Sequence, residues 1–339
     1  MNRNKTRVIE LKNRPCVLSS ASAVGTNEAT GPLGNYFDIK YSDDGIGEQT
    51  WEKAESRLLK DALMCAIEKS SVTIDELDMI FAGDLLNQCT SGSYAVRNMN
   101  IAFGGLFGAC STMAYSLALS ALLVDGGYCN YIAAATSSHF CSAEKQFRYP
   151  LEYGCQRSPS SQRTVTGAGA FIIGNNKKPD IAVSKVLFGK VVDLGVTDTA
   201  NMGAAMAPAA AESISEFLSS TNTLPEDYDL ILTGDLGMVG SSLMRDIIKE
   251  QTDTDISPVH NDCGLMIYDM DAKGINSGGS GCGCSACVTA SYIMSKMKTG
   301  DIKKVLFAAT GALMSPTLSL QGESIPGICH IVEFIKCGG

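Results

Sequence analysis

The chain has almost no histidine: three residues in 339, at positions 139, 260 and 330. Chemistry that needs an imidazole as acid or base must draw on those three. Lysine- and arginine-rich runs are also missing and the net charge is −9, so the electrostatic footprint of a nucleic-acid binder is absent. The basic segment Met1 to Arg14 lacks the apolar stretch of a secretory signal, which predicts a cytoplasmic-type soluble protein. The glycine run Gly278-Gly-Ser-Gly-Cys-Gly283 is not followed by Gly-Lys-Ser/Thr, which argues against a phosphate loop. Cysteine, by contrast, is plentiful. Thirteen are scattered through apolar runs, as expected of reduced, buried thiols. With 45% hydrophobic residues the chain can bury a large core.

The cysteines also mark a duplication. Gly-Ala-Cys110-Ser111-Thr112 opens an apolar segment ending in Tyr131-Ile-Ala-Ala-Ala-Thr136, and Gly283-Cys284-Ser285-Ala286 opens another ending in Val305-Leu-Phe-Ala-Ala-Thr310. At an offset of 174 residues Cys110 meets Cys284, Gly126 meets Gly300 and Thr136 meets Thr310, without a gap. Upstream, at an offset of 151, Asp78-Met-Ile-Phe-Ala-Gly83-Asp84-Leu85 matches Asp229-Leu-Ile-Leu-Thr-Gly234-Asp235-Leu236. Internal self-similarity of this kind implies two like halves, residues 1–178 and 179–339, with any site near their pseudo-twofold axis.

Two stretches, Asn98 to Val124 and Gly274 to Ser295, carry no charge. Glycine, asparagine and serine interrupt both, leaving a helix of about four turns in each, too short to span a bilayer and apolar enough to be buried on all sides. Around them, helical spacing puts Trp51, Ala54, Leu58, Leu59, Ala62 and Ala66 on one face of Thr50–Lys69. First-half strands are expected at Pro15–Ser20, Met79–Ala82, Tyr131–Ala135 and Thr166–Ile173. The second half reads as strands Ile181–Val192, Leu230–Leu232, Gly264–Tyr268, Val305–Ala309 and His330–Ile335, with helices Ala209–Ser220 and Leu243–Glu250. Alternating helices and buried strands imply an α/β protein, here a five-layered αβαβα architecture with the two apolar helices in the central layer.

That architecture, with Gly-Ala-Cys110-Ser-Thr at the first central helix, resembles the thiolase and ketoacyl synthase superfamily, a thiolase-like fold in which a cysteine at this point accepts an acyl group. Within it the chain resembles the stage V sporulation protein AD family of spore-forming bacteria. The segments that carry the likeness run nearly end to end: Ala82-Gly-Asp-Leu-Leu-Asn-Gln88, Gly105-Leu-Phe-Gly-Ala-Cys-Ser-Thr112, Ser137-Ser-His139, Glu144-Lys-Gln-Phe-Arg-Tyr-Pro150, Thr164-Val-Thr-Gly-Ala-Gly-Ala170, Asn201-Met-Gly-Ala-Ala-Met-Ala-Pro-Ala-Ala210, Asp262-Cys-Gly264 and Gly322-Glu-Ser-Ile-Pro326. The resemblance implies binding of dipicolinic acid, with or without calcium, and its uptake into the developing spore. It also implies membrane partners from the same operon, a peripheral place at the spore inner membrane, and a homodimer as an open expectation. No cofactor is expected.

The superfamily's catalytic partners do not carry over. Its histidine after the strand matching Leu230–Leu232 is replaced by Gly234 and Asp235. Its second polar partner falls in Ser280-Gly-Cys282-Gly-Cys284, without imidazole or amide, and a thiolase-type second cysteine is absent near Thr310-Gly-Ala312. Cys110 therefore reads as a nucleophile without its partners in a non-catalytic protein. The alternatives are an acyltransferase or condensing enzyme acylated there by a coenzyme A thioester, or a scaffold with a vestigial pocket.

At a helix N-terminus the Cys110 thiol would be drawn toward thiolate, and the same N–H groups would hold a carboxylate; the plainer role is a small core residue beside a glycine turn. His139 stands at a strand's C-terminal end, either as ligand contact or as a hydrogen-bonded structural histidine. His260 is expected in a surface turn and His330 in a structural place. For a flat dicarboxylate the candidate contacts are Cys110, Ser138, His139, Gly279 and Cys284. Cys282-Gly-Cys284-Ser-Ala-Cys287 lacks the second pair of ligands a metal site needs, so no metal is expected. The Glu144–Pro150 insertion, continued in Glu152-Tyr-Gly-Cys-Gln156, is either a solvated loop or one that covers the pocket or docks a partner.

Overall fold

The computed structural model describes residues 6–148, 157–176 and 180–338. The first sheet contains β1 (Cys16–Val24), β2 (Met79–Gly83), β3 (Ala102–Gly105), β4 (Tyr131–Ser138) and β5 (Gly167–Gly174) in the order β3-β2-β4-β5-β1. The second contains β6 (Ile181–Leu187), β7 (Leu230–Thr233), β8 (His260–Asp262), β9 (Lys304–Ala312) and β10 (Gly327–Lys336) in the matching order β8-β7-β9-β10-β6. In each, the first three strands are parallel and the last two antiparallel. A narrow junction, Cys16 beside Ala182, joins the sheets into one. Short strands extend the pattern, Val8–Glu10 along β6 and Ile39–Lys40 along β1.

The strands are short, apolar and small, as in Ile132-Ala-Ala-Ala135, where every residue is buried. Such strands need cover on both faces. Helices α1 (Trp51–Lys69) and α2 (Thr90–Val96) cover the outside of the first sheet, and α5 (Met202–Thr221) and α6 (Gly237–Thr252) that of the second. Between the sheets lie α3 (Thr112–Asp125) and α7. The latter runs Cys282–Val288, widens into a π turn at Thr289–Ile293 and finishes as Met294–Thr299. Helix α3 touches strands of both sheets as well as α7. The result is the expected five-layered αβαβα order. A further helix, α4 (Phe140–Phe147), follows β4 and leans on α1.

Several local expectations change. Helix α3 is buried over most of its surface, but Tyr115, Leu119, Leu122 and Leu123 form a partly exposed edge. Thr50 caps α1 by accepting from the Lys53 amide, and Ala54, Leu58, Leu59, Ala62 and Ala66 are buried as expected. Trp51 is not: at the first position of the helix it is 42% exposed, and its ring lies 5.6 Å from that of His139. The segment Gly264–Tyr268 is not a strand. Residues Cys263–Met266 form a helical turn and the strand comes earlier, at His260–Asp262. A short apolar run does not distinguish the two by periodicity, and here the Asp262 carboxylate accepts from the Leu236 and Gly237 amides, tying the chain into a turn. Helix α5 starts before Pro208 because Asn201 caps it, accepting from the Ala204 amide.

Two glycines bring the halves into backbone contact. A β-carbon at Gly169 on β5 would sit 2.3 Å from the Ala286 carbonyl oxygen of α7, and one at Gly311 on β9 would sit 2.3 Å from the Gly108 carbonyl oxygen beside Cys110. Neither neighbour is a side chain that could swing away. Gly169→Val should therefore destabilise the protein by about 3 kcal/mol or more, read as a lower urea midpoint.

Candidate functional site

Cys110 belongs to a tight turn, Ala109–Ser111, that leads into α3. Ala109 has φ +50°, a left-handed conformation uncommon for a residue with a side chain. Hydrogen bonds hold it there. The Ser111 hydroxyl and amide both donate to the Gly108 carbonyl at 2.6 and 3.1 Å, and the Thr112 hydroxyl donates to the Ala109 carbonyl at 2.6 Å. Strain held in this way is common where a side chain is being aimed. Cys110 lines a cavity of about 140 Å³. Phe107, Phe147, Met202 and Met314 give it apolar walls; Gln162, Thr164 and Ser280 supply polar groups, and Glu144 and Arg148 charge.

Beside the thiol lies a fully buried carboxylate. Asp235, just after β7, accepts from the Thr310 hydroxyl at 3.0 Å, the Ser280 hydroxyl at 3.0 Å, the Gly281 amide at 2.8 Å and the Cys110 thiol. Burial raises its pKa, while these four donors favour the ionised form. Burial and then the Asp235 charge push the Cys110 thiol well above its ordinary range. The expected thiolate is thus corrected: a helix terminus contributes roughly 1 kcal/mol, and desolvation and a neighbouring carboxylate outweigh it. Asp262 holds the loop that presents Asp235, accepting from the Thr233 hydroxyl at 2.6 Å and from the Leu236 and Gly237 amides at 2.8 and 3.1 Å. Burial pushes Asp262 up to about 6.

Of the five predicted contacts, Cys110 lines the cavity; Ser138, His139, Gly279 and Cys284 do not. His139 caps α4: its Nδ1 accepts from the Cys141 amide at 3.1 Å and its Nε2 meets the Asp44 carbonyl at 2.8 Å, so both ring nitrogens are occupied. Ser138 donates to the Val165 carbonyl and accepts from the Gly283 amide. The Gly279 carbonyl accepts from Gln162 Nε2 at 2.8 Å, and the residue pairs with Arg163 in a two-stranded ribbon. Cys284, the duplicate of Cys110, is enclosed in the core. The amides of Gly281 and Gly283, in the same loop, are used by Asp235 and Ser138.

The other histidines are also accounted for. His260 lies on β8 rather than in a surface turn, its Nε2 is 3.0 Å from the Thr233 hydroxyl, and burial pushes it down to about 4. His330, buried in β10, stacks on Tyr115 and accepts from the Gly189 amide. In the Glu144–Pro150 insertion, Glu144 and Arg148 do reach the cavity. Glu144 pairs with Arg157 at 2.8 Å and Arg148 at 3.4 Å, while Arg157 and Arg163 lie over the Phe140 ring. Residues 149–156 fall outside the described part of the chain. Sequence reasoning saw Asp235 in the histidine's place but did not assign it to the site; the signal was the repeated Gly-Asp-Leu after β2 and β7.

Strand order, buried central helices and a cysteine at the entry to the first of them define a thiolase-like fold of the condensing-enzyme type. Solved structures agree: 3-oxoacyl-[acyl-carrier-protein] synthase III from Aquifex aeolicus VF5 has a TM-score of 0.57 at 13% identity, covering 95% of this chain and 99% of that one. A variant of OleA from Xanthomonas campestris has a TM-score of 0.60 at 12% identity, covering 96% and 99%. At such identities the likeness is one of fold alone. The family model for stage V sporulation protein AD matches residues 5–335, and stage V sporulation protein AD of Bacillus subtilis (strain 168) is 46% identical over 323 residues, 95% of each chain. The chain belongs to the stage V sporulation protein AD family, and its role is in spore formation. Among the described residues no helix is long and apolar enough to cross a membrane.

Because the Asp235 charge opposes the Cys110 thiolate, Asp235→Asn should lower the Cys110 pKa. Its iodoacetamide alkylation at pH 8, followed by peptide mass spectrometry, should accelerate about tenfold. An unchanged pH–rate profile would show that burial alone sets the thiol.

Proposed function

We propose that the chain is a non-catalytic thiolase-fold protein that binds dipicolinic acid in the Cys110 cavity and takes part in its uptake into the developing spore, working with membrane proteins of its operon at the spore inner membrane. The observation that carries this reading is the Cys110–Asp235 pair. A condensing enzyme needs a nucleophile and a group that takes and returns its proton. Here a carboxylate stands beside the thiol and favours its protonated form, and no histidine is among the residues that line the cavity.

The cavity suits a flat aromatic acid in its chemistry. Its apolar walls form a slot for a ring. Arg148 offers a planar fork to a carboxylate, and Thr164 and Ser280 add hydroxyls. In this reading His139 and Ser138, held in their cap and strand bonds, support the wall.

Calorimetry with dipicolinate, with and without Ca²⁺, tests the reading. Arg148→Ala should weaken binding about ten- to a hundredfold, the equivalent of one charged hydrogen bond. Cys110→Phe should abolish binding with circular dichroism unchanged, and His260→Ala should leave affinity alone. Incubation with acetyl- or malonyl-coenzyme A should leave no acyl group on Cys110. An acyl-Cys110 that forms and turns over, seen by intact mass, would replace this reading with a working acyltransferase.

A further inference from the structure

We propose that Glu55 and Asp84 share a single proton behind the cavity wall, and that loss of this proton unseats α4 and loosens the cavity: a proton latch independent of the ligand's identity. Glu55 projects from α1 and Asp84 follows β2; both are buried. Asp84 is the duplication's counterpart of Asp235, but where Asp235 meets a thiol, Asp84 follows the Gly83–Thr136 strand pair and so comes beside Ser137, whose hydroxyl donates to Glu55.

Donors divide unequally between the two acids. Asp84 accepts from the Gly92 amide at 2.7 Å and the Leu86 amide at 2.9 Å, which favours its ionised form. Glu55 accepts only from hydroxyls, Ser142 at 2.5 Å and Ser137 at 3.2 Å. Burial and the Asp84 charge push Glu55 up, so it is the acid that keeps the proton. The buried Ser91 hydroxyl, from α2, is a further donor beside Glu55, and the Cys89 thiol at the start of α2 faces Asp84. From α7 the facing titratable group is the Cys282 thiol, itself donating to the Ser137 carbonyl at 2.9 Å. Among the described residues no lysine, arginine or histidine is bonded to either carboxylate. The nearest charges on the facing helices are committed outside: Glu52 of α1 to Lys145 of α4 at 2.6 Å, and Glu144 to Arg148 and Arg157.

Asp84 lies one residue from the cavity wall, and Glu55 reaches it through Ser142. Leu85 follows Asp84, and Ala143 follows Ser142. Helix α4 contributes Glu144, Phe147 and, just beyond it, Arg148. Its seat on α1 consists of the Ser142–Glu55 bond inside, the Lys145–Glu52 pair outside and the His139–Trp51 ring contact. Among the described residues nothing offers a counter-ion to a second buried negative charge beside Asp84, and the contact that charge would disturb is the Ser142–Glu55 bond that seats α4.

Trp51 is the single tryptophan of the chain and sits on this seam, so its fluorescence reports the latch. Titration of the purified protein should show an emission change with midpoint near 8, with far-ultraviolet circular dichroism constant across it. Glu55→Gln, which keeps the shape of the protonated acid but cannot ionise, should abolish the transition. Asp84→Asn should move it down by roughly one pH unit or more. A transition that persists unchanged in Glu55→Gln, one that coincides with loss of helix signal, or none below tyrosine ionisation at about pH 10 would each overturn the proposal. None of these readings uses dipicolinate, so failure here leaves the proposed function untouched.

Discussion

Backbone-to-backbone contact between the halves is the constraint on which the rest depends. A helix laid on a sheet normally stands off by the depth of its side chains. At Gly169 the sheet presents none, and α7 settles directly onto β5; at Gly311 the turn of Cys110 settles onto β9 in the same way. The central layer is therefore held by contacts that cannot be repacked one rotamer at a time. The Cys110 turn, built by the first half, is thereby fixed beside strands of the second. The Asp235 carboxylate, presented after β7 next to β9, then reaches the thiol and the Thr310 hydroxyl together.

Electrostatically, the site inverts what its fold usually houses. A thiol beside an imidazole can hand over its proton and leave a stabilised ion pair. Beside a carboxylate the thiol is the hydrogen-bond donor, and its proton helps to satisfy the buried charge. Cys110 is in that sense one of four donors around Asp235, with Thr310, Ser280 and Gly281. The strained Ala109 backbone still aims the sulfur at the cavity.

Architecture was legible in the sequence because it is written twice. The repeated cysteine segments and the repeated Gly-Asp-Leu turns pointed to two like halves, and the missing charges to the central helices. What misled was local. Gly264–Tyr268 has the composition of a strand, but an aspartate two residues ahead bends it into a turn. His139 looked available because its position at a strand end is where α/β folds collect ligands, yet the chain spends both ring nitrogens on backbone. Arg148 and Gln162 at the cavity are set by how α4 and the ribbon around Arg163 fold back, and no spacing in the sequence encodes that return.

The central helices also show what duplication does not conserve. Cys110 to Gly126 and Cys284 to Gly300 contain the same number of residues, yet the first copy begins with a tightened turn at Ala109–Ser111 and the second carries a widened one at Thr289–Ile293. Equal length therefore conceals unequal winding. Residues that align one to one along the chain point in different directions around the two helix axes, more so toward the C-terminal ends. An exchange of whole segments between the copies would preserve every residue count and still misdirect side chains, so the halves have become complementary parts that are no longer interchangeable.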